Sequence, residues 1–231
     1  NEALERVRER LSEEPDSQNL LNRLGELLEQ KGELAEAREV FARLSALEPS
    51  NFDHRERVGD LKIREQEVRV ERLQRDEPDS EAVATASSDL EQLKVAEFGW
   101  RVEEHPTDLP QRFRFGEALY HVGRWDDAIA EFQKTVKDPR KRLDSQVMMA
   151  NAFMKKDMLD LAAKQLERAL ESAGDGTRRA MQIRYNLGLI LEKQGKREEA
   201  RAEYMLVYER DINFRDVKTR LESLEKKSSE E

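Results

Sequence analysis

Residues 18–51 read QNLLNRLGELLEQKGELAEAREVFARLSALEPSN, and a related pattern returns further along the chain. Apolar residues recur every three or four positions on both sides of Gly32, which predicts two amphipathic helices joined by a turn. Gly32 suits that turn because glycine can end a helix in a left-handed conformation. Gly25 and Ala37 are small enough to let two antiparallel helices cross closely, and Phe41 fills the adjoining space.

Small residues follow large apolar ones at a nearly regular spacing through the chain. They stand at positions 25, 59, 116, 150 and 188, with separations of 34, 57, 34 and 38 residues. In four of these places an alanine follows 12 residues later, and a large residue follows after four more. The members of this second series are Ala37, Ala128, Ala162 and Ala200, followed by Phe41, Phe132, Leu166 and Tyr204. Such a period is typical of stacked helical pairs.

The spacing resembles that of the tetratricopeptide repeat, a unit of about 34 residues with small side chains at its eighth and twentieth positions. Gln18 to Asn51 match best, with Gly25, Ala37 and Phe41 where that family places a small, a small and a large residue. The resemblance implies an all-α, right-handed superhelical solenoid of antiparallel helix pairs. It also implies that the protein binds other proteins and is not an enzyme.

In this register we expect a single solenoid domain. Its parts are the second helix of a truncated repeat at 1–17, repeats at 18–51, 109–142, 143–180 and 181–214, an enlarged degenerate repeat at 52–108, and a capping helix and tail at 215–231. The cap would cover the apolar edge that an open solenoid exposes.

The repeat at 52–108 is longer than the others but has no loop signature. Gly59 is followed by Ala96 after 37 residues, where the other repeats have 12. Only the segment at Pro78 looks like a turn, so we predict one overlong helical hairpin. If its two helices share the excess equally, its tip projects roughly 18 Å beyond the neighbouring helices. We expect Gly99 and Trp100 to close the helix crossing at its base.

Two interpretations of the hairpin tip remain open. It is either a solvated projection or a surface that pairs with a second copy or a partner helix, because its sparse apolar residues need cover. The contact residues of the second interpretation are Val68, Leu73 and Val83. A homodimer is therefore one of the expected assemblies.

The family resemblance also implies which side chains face the inner groove. Transferred to the C-terminal repeats, the groove positions of each first helix hold Phe113, Glu117, Tyr120, His121, Val147, Asn151, Met154, Tyr185, Asn186 and Leu189. Aromatic and methionine side chains predict an adaptable apolar groove, in which the two asparagines hydrogen-bond the backbone of an extended peptide. In the alternative interpretation, Phe113, Val147 and Tyr185 pack between adjacent repeats.

Composition narrows the remaining classes of function. The chain has 41 Lys and Arg against 50 Asp and Glu, and its net charge of -9 disfavours nucleic acid as a partner. No cysteine is present, and the three histidines at 54, 105 and 121 fall in different repeats, so we expect no metal, cofactor or catalytic residue. Mean hydropathy is -0.89, and no apolar stretch is long enough to insert into a membrane.

Three functions agree with these observations. The first is a scaffold that binds a peptide or partner-protein segment in the groove of the C-terminal repeats. The second is a self-associating structural module that uses the long hairpin. The third is a regulatory appendage of a larger protein whose N-terminal part is absent, since the chain starts at Asn1 and in mid-repeat. The sequence does not fix the location; it favours the cytoplasm and leaves an upstream anchor or signal open.

Overall fold

A computed structural model describes residues 2–228 of the protein, and these residues are all-helical. The predicted tail beyond residue 228 lies outside the described part. The helices in that part are α1 (Glu2–Glu13), α2 (Gln18–Lys31), α3 (Leu34–Leu47), α4 (Phe52–Asp76), α5 (Glu81–Glu104), α6 (Leu109–His121), α7 (Trp125–Thr135), α8 (Arg142–Lys155), α9 (Leu159–Ala173), α10 (Arg178–Lys193), α11 (Arg197–Tyr208) and α12 (Val217–Ser228).

The chain forms two compact units, residues 1–101 and 102–231, and the division falls within α5. Unit 1 contains α1 to α4 and most of α5, and unit 2 contains the end of α5 and α6 to α12. Consecutive helices pack against one another from α1 to α4 in unit 1 and from α6 to α12 in unit 2, as expected of helical pairs. The predicted arrangement of the whole chain as one solenoid domain stays a prediction.

The helix pairs cross at the small residues that the sequence pattern singled out. A Cβ atom placed on Gly25 would lie 2.5 Å from the ring of Phe41. The corresponding distance is 2.8 Å from Gly116 to Phe132, and 2.5 Å from Gly188 to the ring of Tyr204. Those three rings are fully buried, so the ring of the second helix occupies the space that a side chain on the first helix would need.

Two of the connections between helices also follow the sequence. Gly32 ends α2 with φ of 80°, a left-handed conformation that glycine adopts without strain, and its N–H donates to the carbonyl of Glu29. Gly174 and Gly176 form the predicted loop between two helices. After that loop the hydroxyl of Thr177 accepts a hydrogen bond from the N–H of Ala180, so α10 begins ahead of the repeat boundary expected at 181.

The overlong hairpin is confirmed. Helix α4 has 25 residues and α5 has 24, whereas α2 and α3 have 14 each. The difference of about ten residues corresponds to roughly 16 Å of helix, close to the expected projection. A small core made by Ile63, Val70, Ala86 and Leu90 holds the two helices together.

The base of the hairpin differs from the prediction at Gly59. Gly59 does not meet Ala96, which is exposed. Trp100 does contact the start of α4, because its ring centroid lies 6.3 Å from that of Phe52 and 4.6 Å from the guanidinium carbon of Arg55. A Cβ atom on Gly59 would lie 2.5 Å from a carboxylate oxygen of Glu97 and 3.2 Å from the guanidinium of Arg101. The crossing is thus filled by charged side chains, which a search for small or apolar partners overlooks.

Ion pairs and hydrogen bonds allow these charged side chains to be buried. Glu97 is 3% exposed and accepts from Arg55 at 2.6 Å. Arg101 is 1% exposed and donates to Asp60 at 2.7 Å and to the carbonyl of Glu56 at 2.9 Å. A charge removed from water stays ionised only with such partners, so this cluster fixes the register of α4 against α5.

Helix α12 is the predicted cap of the C-terminal repeats. Its apolar residues Val217, Leu221 and Leu224 are buried in the core of unit 2. Polar contacts fasten the same helix to α10, because Arg220 donates to Glu192 at 2.7 Å and to the hydroxyl oxygen of Tyr185 at 3.1 Å.

Candidate partner-binding face of unit 2

The first helices of the unit 2 pairs, α6, α8 and α10, carry the predicted groove residues. Helix α6 begins with a cap, since Asp108 accepts from the N–H of Gln111 at 3.0 Å and Pro110 occupies the first turn. Seven of the predicted side chains are half-buried, an accessibility that allows contact with both the core and a partner. They are Glu117, Tyr120, Val147, Asn151, Met154, Asn186 and Leu189.

An apolar part of this face lies on the core of unit 2. Val147, Met154 and Leu189 pack against the buried cluster while they keep part of their surface exposed. Methionine adapts its shape to an irregular partner, and partly exposed aliphatic side chains gain free energy when a partner covers them. This part of the predicted groove therefore has a surface that can bind apolar side chains.

Two asparagines supply polar groups on the same helices. The side chain of Asn151 makes no hydrogen bond with any residue in the described part of the chain. In Asn186 the carbonyl oxygen accepts from Gln182 at 2.9 Å, which leaves its amide group as a donor. Asn151 can therefore both donate to and accept from a ligand, and Asn186 can donate.

Glu117 and Tyr120 are two ionisable side chains on this face. Burial raises the pKa of the Glu117 carboxyl, although the neighbouring charges of Lys141 and His121 oppose the effect. Burial also raises the pKa of Tyr120, whose ring packs edge-on at 5.5 Å against exposed His121. A partly desolvated carboxylate gains from a cation, so this part of the face favours a positively charged group.

Two predicted contact residues belong to the interior instead. Phe113 is 5% exposed and packs against Phe132, with 5.5 Å between the ring centroids. The ammonium group of Lys141 lies 4.6 Å from the centroid of the Phe113 ring. Tyr185 is 4% exposed, and its hydroxyl donates to Asp216. Both side chains are therefore packed inside the protein, as in the alternative interpretation of the sequence, and are not available to a ligand.

The three predicted hairpin residues do not share one environment. Val68 is 50% exposed, whereas Leu73 packs on the hairpin core and Val83 is half-buried. The predicted groove residues do not include Lys141, which lies in the segment before α8 and borders Glu117 and Phe113. Its position at a repeat boundary, outside both predicted first helices, is the reason.

Two other kinds of site can be considered for the described residues 2–228. No group of three or more His, Asp or Glu side chains there is arranged to hold a metal ion. None of the described helices combines the length and the apolar character that crossing a membrane requires. The half-exposed face of α6, α8 and α10 is thus the candidate that the structure supports best.

Comparisons with known proteins agree with the repeat architecture. No curated protein sequence matches the chain. Among solved structures, YrrB, a TPR protein with an unusual peptide-binding site, superposes with a TM-score of 0.63 at 14% identity over 93% of this chain and 97% of its own. MamA from Desulfovibrio magneticus RS-1, from residue 41 to its end, gives 0.60 at 13% identity over 86% and 97%.

A third similar structure is the C-terminal part of a TPR repeat-containing protein from Cytophaga hutchinsonii, with a TM-score of 0.58 at 19% identity over 87% of this chain and 69% of that chain. Identities this low show the fold alone, which is an all-α solenoid. A family model for the tetratricopeptide repeat matches residues 1–52 and 147–213, just over half of the chain. The chain belongs to the tetratricopeptide repeat family.

Proposed function

We propose that the protein is a non-enzymatic scaffold that binds an extended peptide, or an extended segment of a partner protein, on the face of α6, α8 and α10. The observation that carries the proposal is the unpaired amide of Asn151 beside the half-exposed side chains of Val147 and Met154. A free amide and adaptable apolar side chains are the components that recognise a peptide backbone and its side chains. The peptide-binding site named for YrrB is a precedent on the same fold.

Each part of the face has a role in this proposal. Asn151 and Asn186 hydrogen-bond peptide backbone groups and fix the register of the ligand. Met154 and Leu189 cover its apolar side chains. Glu117 pairs with a lysine or arginine of the ligand, because a cation relieves the cost of ionising a partly buried carboxyl. The preferred ligand is therefore an extended segment that combines apolar residues with one positive charge.

A random peptide library displayed on phage tests the proposal while the partner is still unidentified. Selected peptides are synthesised with a fluorophore, and their Kd values are measured by anisotropy for wild type and Asn151→Ala. Loss of one or two hydrogen bonds at about 1 kcal/mol each weakens binding roughly five- to thirtyfold. We also expect lysine or arginine to be enriched next to apolar residues, and Glu117→Gln to reduce that preference.

Gln133→Ala is the matched control, since Gln133 is an exposed amide side chain on the second helix α7. It should leave the Kd unchanged. Equal affinities of wild type and Asn151→Ala for every selected peptide would refute the proposed face. A library that yields no specific peptide would refute peptide binding itself.

A further inference from the structure

The overlong helix α4 carries an arginine-rich face that none of the described residues covers. Arg64, Val68, Arg72 and Arg75 are all exposed, and Val68 is 50% exposed. Their spacing of four, four and three residues places them on one side of the helix, over about 16 Å. We call these four residues the α4 stripe.

The α4 stripe faces away from the hairpin core. Ile63 and Val70, which pack against α5, lie on the opposite side of the helix. None of the three stripe arginines forms an ion pair or side-chain hydrogen bond with the described residues. Glu71, at the edge of the stripe, is also unpaired there, so the face keeps a net positive charge.

Arginines nearer the base of the hairpin behave differently. Arg57 pairs with Glu29 at 2.9 Å, and Arg55 pairs with Glu97 at 2.6 Å. A third ion pair joins Arg38 of α3 to Glu65 of α4 at 3.1 Å. The chain has a net charge of -9, so three unpaired arginines on one helix face make this part of the surface locally positive. An exposed valine lies among them.

A second copy of the chain fits this face poorly. In an antiparallel pairing centred on Val68, Arg64 of one copy would lie opposite Arg72 of the other, because each is four residues from the centre. In a parallel pairing in register, each arginine would lie opposite its own counterpart. Both arrangements bring like charges together, which disfavours association.

A nucleic acid fits poorly as well. Asp76, Glu77 and Asp79 follow the stripe at the hairpin tip, so a negatively charged partner is attracted only along the stripe itself, and a phosphate backbone that continues past Arg75 is repelled. The exposed aliphatic side chain of Val68 gains nothing from phosphate but gains from an apolar partner side chain. An acidic segment with an apolar side chain at its centre satisfies both parts of the stripe.

We propose that the α4 stripe is a docking surface for an acidic amphipathic helix of another protein. Carboxylates spaced by one helical turn pair with Arg64, Arg72 and Arg75, and an apolar residue between them covers Val68. Arginine suits this role because its planar guanidinium binds a carboxylate through two hydrogen bonds. The surface lies in unit 1 and is independent of the peptide-binding face proposed for unit 2.

The test uses two fluorescent model peptides of about 20 residues, predominantly helical in solution. One carries glutamates on both sides of a leucine stripe, and the other has lysine in place of each glutamate. Binding to the full chain is followed by anisotropy at low and high salt. We expect saturable binding of the acidic peptide, weakened by salt, and little binding of the basic one.

The stripe variant is Arg64→Glu, Arg72→Glu and Arg75→Glu together. Its control is Arg10→Glu, Arg168→Glu and Arg178→Glu, three exposed arginines elsewhere with the same total change in charge. Circular dichroism verifies that both variants are folded. The stripe variant should bind the acidic peptide at least tenfold more weakly and should gain binding of the basic peptide, while the control stays within about threefold of wild type.

Four results would overturn the proposal. They are no saturable binding of the acidic peptide, an equal loss in both variants, tighter binding of polyuridylate than of the acidic peptide, and a dimer in sedimentation that the stripe variant dissociates. The third would assign the face to nucleic acid, and the fourth would assign it to a second copy.

Discussion

The contact between Gly25 and Phe41 gives the sharpest test of how the helix pairs are held. In Gly25→Ala the added Cβ atom would lie 2.5 and 2.6 Å from ring atoms of Phe41, whose ring is fully buried. Overpacking of this kind costs about 1–3 kcal/mol. Alanine in place of a glycine inside a helix returns about 1 kcal/mol of helix propensity. The net change expected is a loss of up to about 2 kcal/mol in the free energy of unfolding.

Another helix pair of the protein has an alanine at the position of the glycine and a smaller side chain at the position of the ring. At the equivalent positions of that pair, Ala150 and Leu166 are both fully buried, an alanine facing a leucine instead of a glycine facing a ring. Phe41→Leu alone should lose about 1–2 kcal/mol because it removes part of a buried ring. In the Phe41→Leu background, however, Gly25→Ala should stabilise the protein by about 1 kcal/mol, since the clash is gone and the gain in helix propensity remains. The sign of the glycine substitution therefore depends on residue 41.

A double-mutant cycle by urea unfolding measures this dependence. The chain has two tryptophans, Trp100 in unit 1 and Trp125 in unit 2. In a Trp125→Phe background, fluorescence reports on unit 1, which contains both Gly25 and Phe41. The expected coupling energy is about 1–3 kcal/mol. A coupling below about 0.5 kcal/mol, meaning additive effects, would refute the explanation of why small residues recur in this sequence.

Two further predictions concern charged side chains. Asp60→Ala should destabilise unit 1 by about 2–4 kcal/mol, because it leaves the buried guanidinium of Arg101 without its carboxylate partner. Arg101→Met should cost much less, because the Asp60 carboxylate that it leaves unpaired is largely exposed. Equal losses in the urea midpoints of the two variants would contradict this. Glu117→Gln should be more stable than wild type at pH 7, since burial raises the pKa of the folded-state carboxyl and its ionised form disfavours folding. That advantage should shrink as the pH falls through the raised pKa, and a pH-independent difference between the urea midpoints would argue against it.

The helices and their crossings were largely predictable because they depend on local periodicity. A glycine or alanine followed 16 residues later by a large side chain describes a contact within one pair, and the structure forms that contact at Gly25, Gly116 and Gly188. The length of the hairpin was predictable for a similar reason. Apart from Gly59, Gly99 and Pro78 at the turn, no Gly or Pro interrupts residues 52–104, which favours two long helices where the period is broken.

The base of the hairpin was not predictable from that pattern. Gly59 faces Glu97 and Arg101, two residue types that are almost never buried without partners. Their partners, Arg55 and Asp60, belong to the other helix of the hairpin, and more than 40 residues separate each pair in sequence. A register set by ion pairs across such a distance leaves no periodic trace.

Burial of the groove residues depended on contacts of the same long-range kind. Tyr185 was expected on the inner face of its helix, yet Asp216 and Arg220 of the C-terminal segment hydrogen-bond its hydroxyl group, and Phe214 packs on its ring at 5.9 Å. The cap that completes the fold thus covers part of the surface on which a ligand was expected. Among the first helices of unit 2, α6 and α8 keep free polar and apolar side chains, whereas α10 retains mainly Asn186 and Leu189.

Because of this cover, binding and stability must be separated in any test of the groove. Tyr185→Ala would remove a buried ring and the anchor of α12, so a loss of binding in that variant would not distinguish a contact from a loosened cap. Asn151 and Glu117 do not have this problem, since Asn151 has no partner among the described residues and burial disfavours the ionised form of Glu117. Substitutions at these two positions leave the core intact. A change in affinity at either one therefore reports on the ligand itself, and these positions decide whether the face binds a peptide.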